Sequence, residues 1–266
     1  MPIQVFTHIE PLSQPEFNAI DKEVMRILFG IHNELGRFLD EKIYKRALAE
    51  RCEASGLKAE CEVRIRITHE SFQKDYFMDA IFNGGALLEL KAKEALASAD
   101  QSQTLTYLFL AGLHHARLAN VRPESVDYQI VSTHLTHELR RNFDFVEREW
   151  REINPESTVL KNKLHDLLTD WGAFLDSNLY REAITHFVGG RQNVLKKVDV
   201  ISSGRVIGQQ PTHLLTRDTA FAFTSTHDHH ARMREHQLRF LRHTRLKQIQ
   251  WVNFNQHAIE FETLTS

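Results

Sequence analysis

The chain has two cysteines in 266 residues, Cys52 and Cys61, too few for a disulfide scaffold, so reduced thiols are the simple reading. It also lacks a dominant charge: 33 Lys and Arg stand against 35 Asp and Glu, for a formal −2. Attraction of the whole molecule to a polyanion is thereby excluded, and any grip on phosphate needs a local basic face. No apolar run approaches the roughly 20 residues that cross a bilayer. The opening MPIQVFTHIEPLSQPEF has neither the basic nor the apolar segment of a secretion signal. A soluble, cytoplasmic protein with no membrane partner is expected. An apolar fraction of 42% argues against disorder, and the length allows two domains. The sixteen histidines are scattered. Even HDHH at 227–230 reads as an exposed loop, because adjacent side chains diverge and do not share a metal.

What the chain does have is a repeat. Residues 36–48 read GRFLDEKIYKRAL and residues 172–184 read GAFLDSNLYREAI, with six identities in thirteen positions. Around the first copy, residues 1–16 read as an irregular leader. A helical period then places Ile20, Val24, Ile27, Leu28, Ile31 and Leu35 on one face. Gly36 interrupts it, and a second helix runs from Leu39 to about Ser55, stopped by Gly56. CEVRIRITHESF alternates as a half-buried strand, and DYFMDAIFNGGALLELKAKE reads as a hairpin turning at Asn83, Gly84 and Gly85. A helix ending at Gly112 and two strands, HARLANV and VDYQIVST, follow.

Asn154 and Pro155 have the chemistry of an N-cap and a first helical residue, and a charged linker is expected near 146–157. Beyond it the same order of elements returns, ending in HQLRFLRHTRLKQIQWVNF and AIEFETL. The fold class expected is α/β: two tandem domains, 1–145 and 158–266, each a mixed β-sheet flanked by helices, related by an internal pseudo-two-fold duplication. The alternative is that two amphipathic helix pairs share one packing solution by accident.

The chemistry lies in the first half. Glu89 and Lys91, two apart in LLELK, project to one side of a strand, and the hairpin brings Asp79 beside them. Two carboxylates and a lysine suit a hard divalent cation, which takes oxygen ligands together with water and substrate phosphate. In such a site Lys91 orients the attacking water or stabilises developing charge. The bland alternatives are a solvated strand face, or an ion pair of Lys91 with Glu89 or Asp79 and no chemistry. The apolar setting Leu87, Leu88 and Leu90 weighs against a solvated face, since burying unpaired charge is costly.

Together, GRFLDEKIYKRAL, Asp79, LLELKAK and QSQTLTYL resemble the GxxExxY protein family of the PD-(D/E)XK nuclease superfamily, close to RecB-type exonucleases, over roughly residues 20–135. Gly36, Glu41 and Tyr44 follow the signature, with five residues from Gly to Glu in place of three. The resemblance implies a restriction-endonuclease-like sheet flanked by helices, Mg²⁺ (or Mn²⁺) dependence and phosphodiester cleavage. It implies catalytic roles for Asp79, Glu89, Lys91, Gln103 and Tyr107, with Glu41, Asp79 and Glu89 toward the metal. Glu41 also reads as an i, i+4 partner of Lys45, Tyr107 as half in the core, and His32 as a packed helix histidine.

The overlay puts Ser177 at Glu41, Thr212 near Asp79, Ala222 at Glu89, Thr224 at Lys91 and Gln237 near Gln103, so the second copy is expected to bind no hard cation. Arg232, Arg239, Arg242 and Arg245 sit in a basic helical stretch that could track a phosphate backbone, or be a solvated face. Two functions follow: a Mg²⁺-dependent nuclease acting on nucleic acid, DNA first, with its active site in the first domain and a structural or DNA-holding second; or a non-catalytic binding scaffold that keeps the fold. A homo-oligomer is left open.

Overall fold

The computed structural model describes residues 2–266 and divides into two units, 1–137 and 138–266. In the first, β1 (Ile3–Val5) is followed by α1 (Gln14–Leu35), α2 (Glu41–Ala54), β2 (Ala59–His69), β3 (Phe72–Phe82), β4 (Ala86–Lys91), α3 (Ser98–Ala111), β5 (His115–Asn120) and β6 (Asp127–Ser132). The strands form one sheet in the order β1-β2-β3-β4-β5-β6, antiparallel except for the parallel pair β4–β5. That pair is parallel because α3 carries the chain back across the sheet, as a crossover must.

The periodicity of α1 is realised in the core. Phe17, Val24, Ile27, Leu28 and Ile31 join Tyr44 and Leu48 of α2 and Ala80, Phe82, Leu88 and Leu90 of the hairpin in one apolar cluster. Alternation along β3 and β4 then turns Asp79, Glu89 and Lys91 to the opposite face. The leader is not irregular throughout. Residues 3–5 pair with β2, and Glu10 N–H donates to Gly84 O at 2.9 Å across the hairpin turn. The chain passes so close that a Cβ on Gly85 would stand 2.2 Å from Glu10 O. Three residues of strand carry too little pattern to be read in advance.

The second unit comprises α4 (His137–Arg140, which begins at the division), β7 (Asp144–Glu149), α5 (Pro155–Trp171), α6 (Ser177–Phe187), α7 (Arg191–Val194), β8 (Leu195–Ser202), β9 (Arg205–His213), β10 (Thr219–Thr224), α8 (His230–Arg242), β11 (Gln248–Asn255) and β12 (Ala258–Thr265). Its main sheet runs β10-β11-β12-β7, while β8 and β9 form a separate ribbon. The stretch expected as a linker, 146–157, falls on β7, which pairs parallel to β12, and on the start of α5. Its dense charge is that of an edge strand, where solvated side chains are tolerated.

Several details recur in both units. Tyr44 OH donates to Gly36 O, and Tyr180 OH donates to Gly172 O, each across eight residues. Asn120 Nδ2 donates to Lys93 O at 2.6 Å and its Oδ1 accepts from Lys93 N–H at 3.0 Å, across 27 residues. Asn253 brackets Thr226 by the same two bonds at 2.9 and 3.0 Å, also across 27 residues. Ile81 faces Leu87 in the β3–β4 ladder, and Leu214 faces Ala220 in a lone antiparallel bridge from the end of β9 to β10.

Candidate active site

The β3–β4 ladder is short. It pairs Phe82 with Ala86, Ile81 with Leu87 and Ala80 with Leu88, and goes no further. The next residues outward are Asp79 and Glu89. The strands part there, and Asp79 Oδ2 accepts from the Leu90 N–H at 2.8 Å, replacing the missing strand partner with a carboxylate. Both acids are buried, Asp79 at 7% and Glu89 at 1% exposure. Lys91 Nζ donates to Glu89 Oε1 at 2.6 Å. The other oxygen, Glu89 Oε2, is buried with no hydrogen-bond partner. Burial first, then the neighbouring charge of Asp79, pushes the Glu89 carboxyl up to about 7, against the opposing pull of Lys91. Burial depresses the Lys91 ammonium, but Glu89, Asp79 and Glu41 more than restore it, so its net shift is upward.

Gln103 and Tyr107 stand one turn apart on α3, and Gln103 Nε2 donates to Tyr107 OH at 2.8 Å. Tyr107 is buried, edge-on to Tyr76 at 6.2 Å. Its hydroxyl is pushed up to about 12 by burial and then by the charge of Glu89, and remains a proton donor across the physiological range.

Glu41 approaches the site through Lys45. Its Oε1 lies 3.7 Å from Lys45 Nζ, the i, i+4 partner, and Lys45 intervenes with a 2.9 Å contact to Asp79 Oδ1. Among the described residues no three His, Cys, Asp or Glu side chains are grouped so as to hold a metal ion. The Lys45 ammonium lies between Glu41 and Asp79, so a metal held by Glu41, Asp79 and Glu89 together would require Lys45 to move. Asp79 and Glu89 remain, which fits a hard cation that takes one or two carboxylates and fills its remaining positions with water and phosphate oxygen. The unpartnered Glu89 Oε2 fits it as well, since a buried carboxylate oxygen left without a donor is costly.

Glu62 is a member of the site that local sequence pattern does not single out. It lies in β2 where the register passes from Cys61–Ala80 to Val63–Met78, opposite Asp79, with φ +51°. A non-glycine residue in this region inside a strand is uncommon. Its Oε1 accepts from Lys45 Nζ at 2.5 Å. No local pattern announces such a kink; only an acid at a strand position flanked by apolar alternation hints at it. His32 is packed, 7% exposed, with Nε2 3.2 Å from Pro123 O.

In the second unit, Thr212, Ala222 and Gln237 line a cavity of about 350 Å³ together with Arg181, and no acid lines it. Thr224 Oγ1 accepts from Trp251 Nε1 and donates to Asn253 Oδ1, both at 2.8 Å. Ser177 opens α6, where Asp176 is the N-cap. Arg232, Arg239, Arg242 and Arg245 are all exposed. Arg239 and Arg242 share Glu235, at 3.0 and 2.8 Å, while Arg232 and Arg245 make no ion pair among the described residues.

Residues 18–131 match the family model of the PD-(D/E)XK nuclease superfamily. The match begins inside α1 and ends in β6, so it takes in Asp79, Glu89, Lys91, Gln103 and Tyr107. The first unit has the PD-(D/E)XK fold, a mixed sheet flanked by helices, with one parallel strand pair, β4–β5. The second unit lies outside the match. No curated protein and no solved structure matches the chain. No helix among the described residues is long and apolar enough to cross a membrane.

Proposed function

We propose that the chain is a divalent-metal-dependent nuclease that hydrolyses phosphodiester bonds of DNA at Asp79, Glu89 and Lys91. One observation carries this: a carboxylate 1% exposed, with one oxygen unpartnered and the other on a lysine, beside a second buried carboxylate, at the point where two central strands part. A structural ion pair has no need of the second acid, whose charge opposes ionisation of the first. The superfamily match over the same strands supports the assignment.

Asp79 and Glu89 would hold Mg²⁺ or Mn²⁺, which supplies charge neutralisation at the scissile phosphate and a more acidic water when bound. Glu89 presents its free Oε2. Lys91, fixed through Glu89 Oε1, offers its remaining N–H donors to water or to a phosphate oxygen. Tyr107, protonated at working pH, anchors Gln103, whose amide oxygen is left to meet the substrate or its water. The Gly36, Glu41 and Tyr44 spacing keeps the GxxExxY resemblance within this reading, with Glu41 at the rim of the site.

The recurring Tyr–Gly and Asn-bracket bonds support descent of the two units from one duplicated domain, the second having shed its acids. In that reading it holds DNA through the exposed arginines of α8 and the segment that follows. We take the protein to act in the cytoplasm, with Cys52 and Cys61 as free thiols.

The test is cleavage of labelled single- and double-stranded DNA by wild type, Asp79→Asn and Lys91→Ala, with Mg²⁺ omitted and restored. Metal-dependent cleavage by wild type, abolished in both variants, is expected. DNA binding without cleavage in wild type would favour the scaffold.

A further inference from the structure

Lys45 follows Tyr44 on α2, and the buried Tyr44 ring, bonded to Gly36 O, fixes that turn of the helix over the site. The Lys45 ammonium has three carboxylates around it: Glu62 Oε1 at 2.5 Å, Asp79 Oδ1 at 2.9 Å and Glu41 Oε1 at 3.7 Å. Burial lowers the ammonium, yet Glu62 and Asp79 more than offset it, and the net shift is upward. Asp79 makes the arrangement consequential. Its Oδ2 is tied to the Leu90 N–H, which leaves Oδ1 as the oxygen that can turn to a metal, and Oδ1 is the atom that Lys45 occupies. Glu62, whose side chain is 58% exposed, reaches the same ammonium from the rim of the site.

We propose that Lys45 is a tethered competitor of the divalent cation for Asp79, and that Glu62 is the seat to which its ammonium withdraws when the metal binds. This rests on the reading of Asp79 and Glu89 as metal ligands. The exchange follows from charge. Even with Glu89 protonated, the carboxylates of Glu41, Glu62 and Asp79 outnumber the ammonium groups of Lys45 and Lys91, so the apo site keeps an excess of negative charge that favours a divalent ion. A single ammonium keeps weakly held or adventitious cations off Asp79. Only an ion that also gains Glu89 Oε2 displaces it. The bent backbone at Glu62 is then a positioning device that aims a carboxylate at the withdrawn lysine.

The experiment is calorimetric titration of the metal-free full-length protein with Mn²⁺. Lys45→Met should bind about tenfold more tightly than wild type, since the competing state is gone. Lys42→Met, which removes the same charge from an exposed position of α2, should change the affinity less than about twofold. Glu62→Gln should weaken binding in wild type, and by much less in the Lys45→Met background, because only with the lysine present does Glu62 have an ammonium to draw away. Unchanged or weaker binding in Lys45→Met, or an equal effect of Glu62→Gln in both backgrounds, overturns the proposal. Should Lys45→Met fail to fold, the Lys45 side-chain NMR signals of wild type decide: they shift in step with Mg²⁺ occupancy, and an unmoved signal at saturation overturns the idea. Asp79→Asn separates the two readings. It must abolish binding; if Mn²⁺ binds as before, the metal site itself is wrong and the competitor falls with it.

Discussion

The Tyr44 hydroxyl donates to the Gly36 carbonyl at 2.6 Å, closing the loop between α1 and α2 from inside the core. Gly36 has φ +73°, a conformation that favours glycine, and Tyr44 is fully buried. Tyr180 makes the same bond to Gly172, which gives Gly and Tyr one packing role at both places in the repeated sequence, while Ser177 stands where the first stretch has Glu41. Tyr180→Phe should destabilise the fold by about 1–2 kcal/mol, the cost of a buried carbonyl left without its donor, and Tyr44→Phe by less, because Gly36 is exposed and water can replace the hydroxyl. Urea unfolding measures the difference, and Tyr180→Phe should leave cleavage at the wild-type rate under folding conditions.

Lys91→Ala should lower Mg²⁺-dependent cleavage by about 100-fold or more, as expected where a single charged donor near the reacting phosphate is removed. Circular dichroism should show the fold retained. The same change leaves Glu89 without its cation, so the Glu89 carboxyl should titrate higher still, which NMR of the carboxyl carbon would report.

Metal-free stability should carry the signature of Glu89. Its carboxyl is raised from 4.5 to about 7 in the folded state, so the folded protein binds the proton more tightly than the unfolded chain. The contribution is fully present below about pH 4.5, declines as pH rises, and is gone above about pH 7. Unfolding in urea with EDTA should show this fall in wild type, and Glu89→Gln should flatten the curve across that window. Mn²⁺ binding should run the other way and strengthen as pH rises toward and past 7, because the ion needs the ionised carboxylate.

Arg232→Glu with Arg245→Glu should weaken DNA binding and make it less sensitive to salt, with the slope reduced by about one for each phosphate that an arginine had neutralised. Charge reversal at Arg239 or Arg242 should do less, since Glu235 already engages both. Mn²⁺ affinity should not change in any of these variants. Equal DNA binding by wild type and the double variant would assign the arginine face to solvent.

Much of the fold is legible from local pattern. Val24, Ile27, Leu28 and Ile31 reveal α1 because a helix repeats every 3.6 residues, and Asn154 with Pro155 marks the start of α5 through capping chemistry. LLELK can be read as a buried strand carrying charge, and Glu89 is indeed 1% exposed. β7 is hidden, since an edge strand keeps its charged side chains in water and reads like a linker. β1 is too short to show a period, and the separation of the β8–β9 ribbon from β10 has no local signature.

By itself the sequence determined most of the elements and their order, the repeat, and which acids stand on the central hairpin, because these follow from spacing along the chain. Tertiary structure alone decided which side chains meet. The end of the β3–β4 ladder gives the Leu90 N–H to Asp79, the bent backbone at Glu62 turns an acid toward α2, and α2 delivers Lys45 between Glu41 and Asp79. Those interactions join residues far apart in the chain, and their energies depend on burial and on distances of a few ångströms, which no local pattern encodes.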